Sequence, residues 1–389
     1  MKAPGTQGGP LFGLKVIELA AIGPAPFCGM LLSDLGADVI RIDRKQQSDI
    51  GLSIANQFDF TSRGRRSISA DLKSEDSIAS ILSLVERADV LIEGFRPGVL
   101  ERLGLGPDVL LARNPRLVVG RVTGWGQTGP LAQSAGHDIN YIALTGALAC
   151  IGREGERPVV PLNLIGDYGG GALYLAFGIV SALIHASKSG KGQVVDAAMV
   201  DGATSLMTLF HGRHAAGLWK SNRASNELDG GAPWYDTYQT KDKKYIAIGA
   251  IEPKFFQELL KRMGIDAGKW KRPDDRACWP ALRRCLEQAF AGYTRDELDS
   301  MLLGSDACYA PILDLSEAAA HPHSVERRAF VEVDGVSQPN VAPRLSLTPG
   351  VIQRSAPQVG EGGLEALKSW GLSDAEIDDL NRKGISWCS

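Results

Sequence analysis

The chain has 389 residues, 44% hydrophobic and 22% charged, with a formal net charge of −3. Such a composition suits a globular protein long enough for a large core and two domains. The balance excludes a global field toward nucleic acid or membrane, so a polyanionic ligand must meet a local basic patch. The six cysteines, Cys28, Cys150, Cys278, Cys285, Cys308 and Cys388, form no C-x-x-C pair and no Cys/His cluster of zinc spacing. They read as reduced, mostly packed thiols of a cytoplasmic protein. Met1 to Pro10 lacks signal-peptide regions, and the end Gly384 to Ser389 is not a peroxisomal signal.

In chain order, Lys15–Leu19 predicts a short apolar strand, and Gly23-Pro24-Ala25-Pro26 a turn that starts a helix to about Leu35. Gly36 ends that helix, and Ala37–Ile42 is a second buried strand. The pattern repeats with a helix over Ser74–Arg87, a strand over Ala88–Ile92, a short helix over Pro97–Leu103 and a strand over Leu117–Val122. Strands alternating with helices predict an α/β fold with a parallel, doubly wound sheet. Dinucleotide binding at the first turn is disfavoured. That turn lacks G-x-G-x-x-G, and its two prolines remove N–H groups that could cradle a pyrophosphate.

Gly166–Ser187 predicts one long apolar helix. Its most apolar part, Gly169–Ala186, approaches the length of a membrane span. The glycines at its start, the nearby Asp167 and the internal His185 favour a buried helix. A polar turn at 188–192, a strand from Gln193 and a helix through Leu209 follow. Arg213–Ala232 is polar and aperiodic and reads as a linker. Tyr235–Thr240 and Tyr245–Ile248 predict a hairpin. Helices are expected over Pro253–Met263, Trp279–Ala291 and Thr294–Leu303. This change of texture marks a smaller α/β domain from about Ser225 to Phe330. The tail carries two short helices around Gly371-Leu372-Ser373, with Ser373 and Glu376 as a capping box.

Three residues stand out chemically. His137 follows Gly136 and precedes Asp138, the expected N-cap of a helix to about Leu148. A histidine there lies beside unpaired N–H groups that can hold a developing anion; the plainer reading is a loop hydrogen bond. Asp167 opens the apolar helix, where capping alone explains it. The run Gly169-Gly170-Gly171 is not explained by capping, and leaves room for either a ligand or a packed helix. Glu252 precedes Pro253 at a helix start, as a surface carboxylate or as the orienter of a histidine. Near the N-terminal strands stand Arg41, Arg44, Arg63, Arg65, Arg66, Lys73, Arg96 and Arg102, several at the ligand edge of a parallel sheet. As a cluster in an acidic protein they suit phosphates.

With these residues in view, the chain resembles the α-methylacyl-CoA racemases of the family III CoA-transferase superfamily. The resemblance is carried by Leu14–Leu19, Leu35–Arg44, Glu93–Gly98, Thr123–Pro130, Gly136–Tyr141, Gly166–Gly171, Gly190–Asp196 and Gly249–Pro253. It implies a Rossmann-like large domain from both chain ends (1–212 and 331–389), a linker (213–224) and a small domain (225–330). It also implies an interlocked homodimer whose active site joins one chain's large domain to its partner's small domain. His137 and Asp167 then resemble the two catalytic bases and Glu252 the histidine's orienter. Arg44, Ala70, Leu72, Lys73, Gly94, Arg96 and Arg102 resemble the coenzyme A contacts. The loop after Arg44 departs from the family pattern, which bears on the adenine contacts. The helix around Asp201, with Met199, Met207, Phe210, His211 and His214, is less purely Met than the family's acyl wall.

The implied reaction moves a proton from one face of a thioester α-carbon to the other. It asks for an enolate stabiliser, here backbone N–H groups near Asp138 and Gly169, and for two opposed bases. It implies no metal and no cofactor, since coenzyme A belongs to the acyl-CoA substrate, and no nucleic-acid or membrane partner. Two rivals remain: a family III CoA-transferase with Asp167 as nucleophile, which would lack the His137 and Glu252 pair, and a non-catalytic acyl-CoA binder.

Overall fold

The protein is described by a computed structural model covering residues 8–45, 54–266, 268–270 and 276–388. The stretch 46–53 of the loop after Arg44 lies outside the described residues. By compactness the chain forms two units. One takes the described residues of Met1–Thr145, Leu162–Leu206 and His323–Ser389; the other takes those of Gly146–Pro161 and Met207–Pro322. Residues 146–161, counted with the large domain on sequence, thus group with the second unit.

The first unit is built on six parallel strands: β1 (Lys15–Leu19), β2 (Asp38–Arg44), β3 (Arg66–Ala70), β4 (Val90–Glu93), β5 (Val118–Thr123) and β6 (Gln193–Ala198). Their order is β3-β2-β1-β4-β5-β6, the Rossmann order. The helices between them are α1 (Pro24–Asp34), α2 (Glu75–Val85), α3 (Val99–Arg102), α4 (Pro107–Arg113), α5 (Asp138–Leu144), α6 (Leu173–Ser189) and, after β6, α7 (Met199–Leu206). A π-helix, Leu164–Ala172, runs directly into α6.

Strand alternation divides the core in two. Ile17, Leu19, Ile40, Ile42, Ile68, Leu91 and Val119 face α2, α4 and the C-terminal residues Leu367, Trp370 and Leu380. Val16, Val39, Val90, Ile92, Val118 and Val122 face α1 and the Leu175, Ile179, Ala182 stripe of α6. Helices on both faces of an all-parallel sheet are what its continuous apolar strands require.

Elements that escape a sequence reading include β3 and α4. β3 reads Arg-Ser-Ile-Ser-Ala, with one large aliphatic residue, yet all five positions are buried. Its polar side chains find partners: Arg66 on Asp38 (2.5 Å) and Ser67 on Asp43 (2.7 Å). Its outer edge is covered, with Ser69 and Ser386 exchanging backbone hydrogen bonds and Ser67 N–H donating to Glu361. α4 starts on Pro107 and buries only Leu110, too weak an apolar pattern to declare itself.

α6 corrects the expectation of a buried helix. The continuous run Leu164–Ser189 is long and apolar enough to cross a membrane by length and composition. It buries one stripe, Leu175, Ile179, Ala182 and Ala186, at helical spacing. Leu173, Phe177 and Ile184 are exposed, Phe177 by 74%. The buried stripe lies close because Gly178 has no side chain: a Cβ there would stand 2.5 Å from Val195 of β6.

Among the buried ion pairs of this unit, Arg121 meets Glu93 at 2.6 Å, and two more involve the basic residues before β3. Arg65 and Glu18 are both 0% exposed and 3.0 Å apart, with Arg65 also donating to the carbonyls of Thr61, Arg63 and Pro26. Arg63 reaches Asp34 at 2.6 Å and the side chain of Gln338.

The second unit contains an antiparallel sheet with Tyr245–Gly249 between Tyr235–Gln239 and Tyr309–Pro311; the third strand was not foreseen. Three helices, Pro253–Arg262, Trp279–Phe290 and Arg295–Leu302, enclose a core of Trp234, Ile246, Phe256, Trp279, Leu286 and Phe290. The expected linker is structured. A helix, Thr208–Ala215, covers its start, and buried Asn226 holds both Lys220 backbone groups and Asp229. Asn and Asp replace a hydrophobic pattern with side chain–backbone bonds, which periodicity does not detect. The capping box of Ser373 and Glu376 forms as expected.

Arg65→Ala leaves Glu18 charged in a sealed interior, so the first unit is expected to lose about 3–5 kcal/mol. Urea unfolding followed through Trp370, in the same unit, measures this; a change below 1 kcal/mol would contradict it.

Candidate active site

The strand order reverses between β1 and β4, the position at which open parallel sheets bind ligands. From β1 the chain turns at Gly23, φ +70°, into α1. A Cβ at Gly23 would lie 3.3 Å from the Oδ2 of Asp167. The sheet reversal and the first candidate carboxylate therefore meet.

Asp167 is not the N-cap expected of it. The helix begins at Leu164 as a π-helix, with Asn163 before it, and Asp167 is its fourth residue. Asn163 Nδ2 donates to Asp167 Oδ2 at 3.1 Å. Burial pushes the Asp167 carboxyl above its ordinary value; the Asn163 bond pulls it down, the Asp138 carboxylate pushes it up and His137 pulls it down. His137 and Asp167 thus lie within one electrostatic neighbourhood.

His137, not Asp138, caps α5: it has extended backbone, φ −132°, and its N–H donates to Asn140 Oδ1 at 3.0 Å. Its side chain is exposed. Asp138 is the first helical residue and is 5% exposed. Its Oδ2 accepts the N–H of Gly166 at 2.6 Å and of Asp167 at 2.8 Å. The carboxylate caps the π-helix across space rather than its own helix.

Three glycines make room here. A Cβ on Gly166 would meet Asp138 Oδ2 at 2.6 Å. Cβ atoms on Gly124 and Gly136 would strike the Tyr141 ring at 2.1 and 2.7 Å. Tyr141 stacks edge-on against Trp125, and its hydroxyl donates to the Gly136 carbonyl. Burial and the Asp167 charge push that hydroxyl up to about 12, while Arg96 draws it down. Tyr141 pins the backbone immediately before His137, a role the sequence did not single out.

The run Gly169-Gly170-Gly171 resolves toward packing. A Cβ on Gly170 would stand 2.6 Å from the backbone of Ala203 in α7. One on Gly171 would stand 2.8 Å from Met199 and 3.0 Å from Pro24. Gly169 is the sixth residue of the π-helix, where an i to i−5 pattern directs its N–H to a carbonyl inside the helix. It is therefore a poorer anion donor than expected. Asp138, first in α5, has no such carbonyl for its N–H.

The basic cluster divides. Arg41 pairs with Asp43 at 2.9 Å, and Arg63, Arg65 and Arg66 are held by Asp34, Glu18 and Asp38. These four are structural, a correction to the phosphate reading. Among the described residues, Arg44, Lys73, Arg96 and Arg102 are exposed and form no ion pair. They stand at the C-terminal ends of β2, β3 and β4 or on α3. Ala70 ends β3 buried, Leu72 follows half-buried, and Gly94 follows β4, where a Cβ would stand 3.1 Å from Ala21. Glu252 belongs to the second unit. It is exposed at the N-cap of Pro253–Arg262, and Cys308, at φ +51°, has its thiol pushed up by burial and by the Glu252 charge.

Residues 11–362 match the CoA-transferase family III. The chain is 44% identical over 378 residues to the α-methylacyl-CoA racemase of Mus musculus, covering 96% of this chain and 97% of that one. It is 42% identical over 380 residues to the human protein of the same name, with coverage of 96% and 97%. Among solved structures, a CAIB/BAIF family protein from Brucella suis superposes with a TM-score of 0.80 at 28% identity, covering 94% of this chain and all of that one.

Gly166→Ala forces a Cβ into the Asp138 carboxylate. The expected result is a loss of about 1–3 kcal/mol in the first unit from the displaced buried acceptor. Denaturant titration beside the unmodified chain checks it, and an unchanged midpoint would count against the contact.

Proposed function

The chain belongs to CoA-transferase family III, and we propose that it interconverts the (R) and (S) forms of 2-methylacyl-CoA thioesters. The extent of its identity to two racemases carries this reading. The neighbourhood of His137 and Asp167 supports it chemically. One of the two groups takes the α-proton. The C–H electron pair becomes the enolate C=C bond, and the carbonyl π pair moves to oxygen. The other group, protonated beforehand, returns a proton to the opposite face. The Asp138 N–H is the proposed donor to the enolate oxygen, a contribution of about 10²–10³ in rate for one such bond. A half-buried carboxyl raised by burial, as Asp167 is, suits the protonated partner.

Arg44, Lys73, Arg96 and Arg102 are the proposed partners of the coenzyme A phosphates, with Ala70, Leu72 and Gly94 along the same strand ends. Remote binding of that large group would hold the reacting carbon in place. The reaction as proposed uses no metal and no separate cofactor, and involves no nucleic acid or membrane. Six free thiols suit a cytoplasmic setting. The proposed assembly is an interlocked homodimer in which Glu252 of one protomer orients His137 of its partner. The exposed Leu173, Phe177 and Ile184 on α6 supply an apolar face for such a contact.

Enantiopure 2-methylacyl-CoA in deuterated water is expected to gain α-deuterium and lose optical purity. His137→Ala and Asp167→Asn should each slow this by about 10²–10⁴. Transfer of coenzyme A to a free carboxylic acid without α-exchange would instead mark Asp167 as a nucleophile. For the dimer, Phe177→Glu is expected to shift sedimentation toward the monomer; an unaltered profile would remove α6 from the interface.

A further inference from the structure

The site holds one carboxylate whose side chain the proposed reaction does not use. Asp138 is peptide-bonded to His137, and its Oδ2 accepts the N–H of Asp167 itself, together with that of Gly166. One residue is thus tied covalently to one proton-transfer group and by a charge-assisted bond to the backbone of the other. Its Oδ1 is buried and has no hydrogen-bond partner among the described residues. A buried acceptor left unsatisfied costs about 1–3 kcal/mol. An Asn would offer the same two amides an acceptor without a charge, so capping and charge can be separated by substitution.

We propose that the Asp138 carboxylate is a positioning residue, which locks His137 and Asp167 at one separation by holding the Asp167 peptide. The inference rests on the racemase reading for its kinetic consequence, but not for its structural one. A second consequence is electrostatic: the Asp138 charge adds to burial in raising the Asp167 carboxyl above its ordinary value. The other groups facing Asp167 are few. Asn163 donates to it, His137 opposes Asp138, and Tyr141 on α5 carries no charge in the neutral range. At the turn before α1 it meets Gly23, and α7 packs on the π-helix through Met199, Gly202 and Ala203.

The test compares the full-length wild type with Asp138→Asn and Asp138→Ala. Asn keeps an acceptor for the two amides and removes the charge; Ala removes both. Carboxyl ¹³C NMR follows the titration of Asp167, identified by its loss in Asp167→Asn. In Asp138→Asn the Asp167 midpoint is expected to fall. The kcat of α-deuterium exchange should drop about 10–100-fold with KM within about twofold, and further in Asp138→Ala, as for a misplaced group. An Asp167 amide proton that keeps its hydrogen-bonded shift in Asp138→Ala, or an Asp167 midpoint that does not move in Asp138→Asn, overturns the proposal. If the wild type exchanges no α-proton, the racemase reading fails, and these two NMR readouts still decide the role of Asp138.

Discussion

The two hydrogen bonds from the amides of Gly166 and Asp167 to the Asp138 carboxylate are the constraint on which the candidate site depends. They join the start of α5 to the π-helix, two segments separated by more than twenty residues of chain. The π-helix matters for the same reason. Its wider turn places an extra residue before α6, and that residue count sets which side chain faces Gly23 at the sheet reversal. An α-helical start would turn the carboxylate of Asp167 elsewhere.

Close backbone approach follows from that constraint. Gly166 admits the Asp138 carboxylate, Gly170 and Gly202 allow the π-helix and α7 to touch, and Gly124 and Gly136 admit the Tyr141 ring. The glycines are the means by which three segments converge on one sheet edge, at the cost of helix propensity that tertiary contacts offset.

The charges of the first unit sort by burial. Glu18 with Arg65 and Asp34 with Arg63 are sealed inside, where each arginine pairs with a carboxylate and donates to nearby carbonyls. Arg44, Lys73 and Arg96 stand exposed at strand ends and Arg102 on α3 beside them, the edge at which open parallel sheets bind ligands. In sequence these two groups are indistinguishable, because each is an arginine or lysine beside a strand.

Much of the fold was legible in one dimension. The apolar strands β1, β2, β4 and β5 and the α1 and α2 helices follow from local periodicity and turn residues, and with them the parallel sheet. Ser373 and Glu376 likewise declare their helix start, since a capping box is a contact over three residues. His137, Asp167 and Glu252 could be named from their local settings and from resemblance. Only tertiary structure decided the rest: that β3 is a strand, that Arg63 and Arg65 are structural, that α6 buries one stripe, and that Asp138 serves the π-helix rather than its own. Each of those outcomes turns on a partner distant in sequence, such as Ser386, Asp34, Val195 or Gly166. Local pattern reports what a segment prefers, and a buried polar group takes its role from whichever distant group satisfies it.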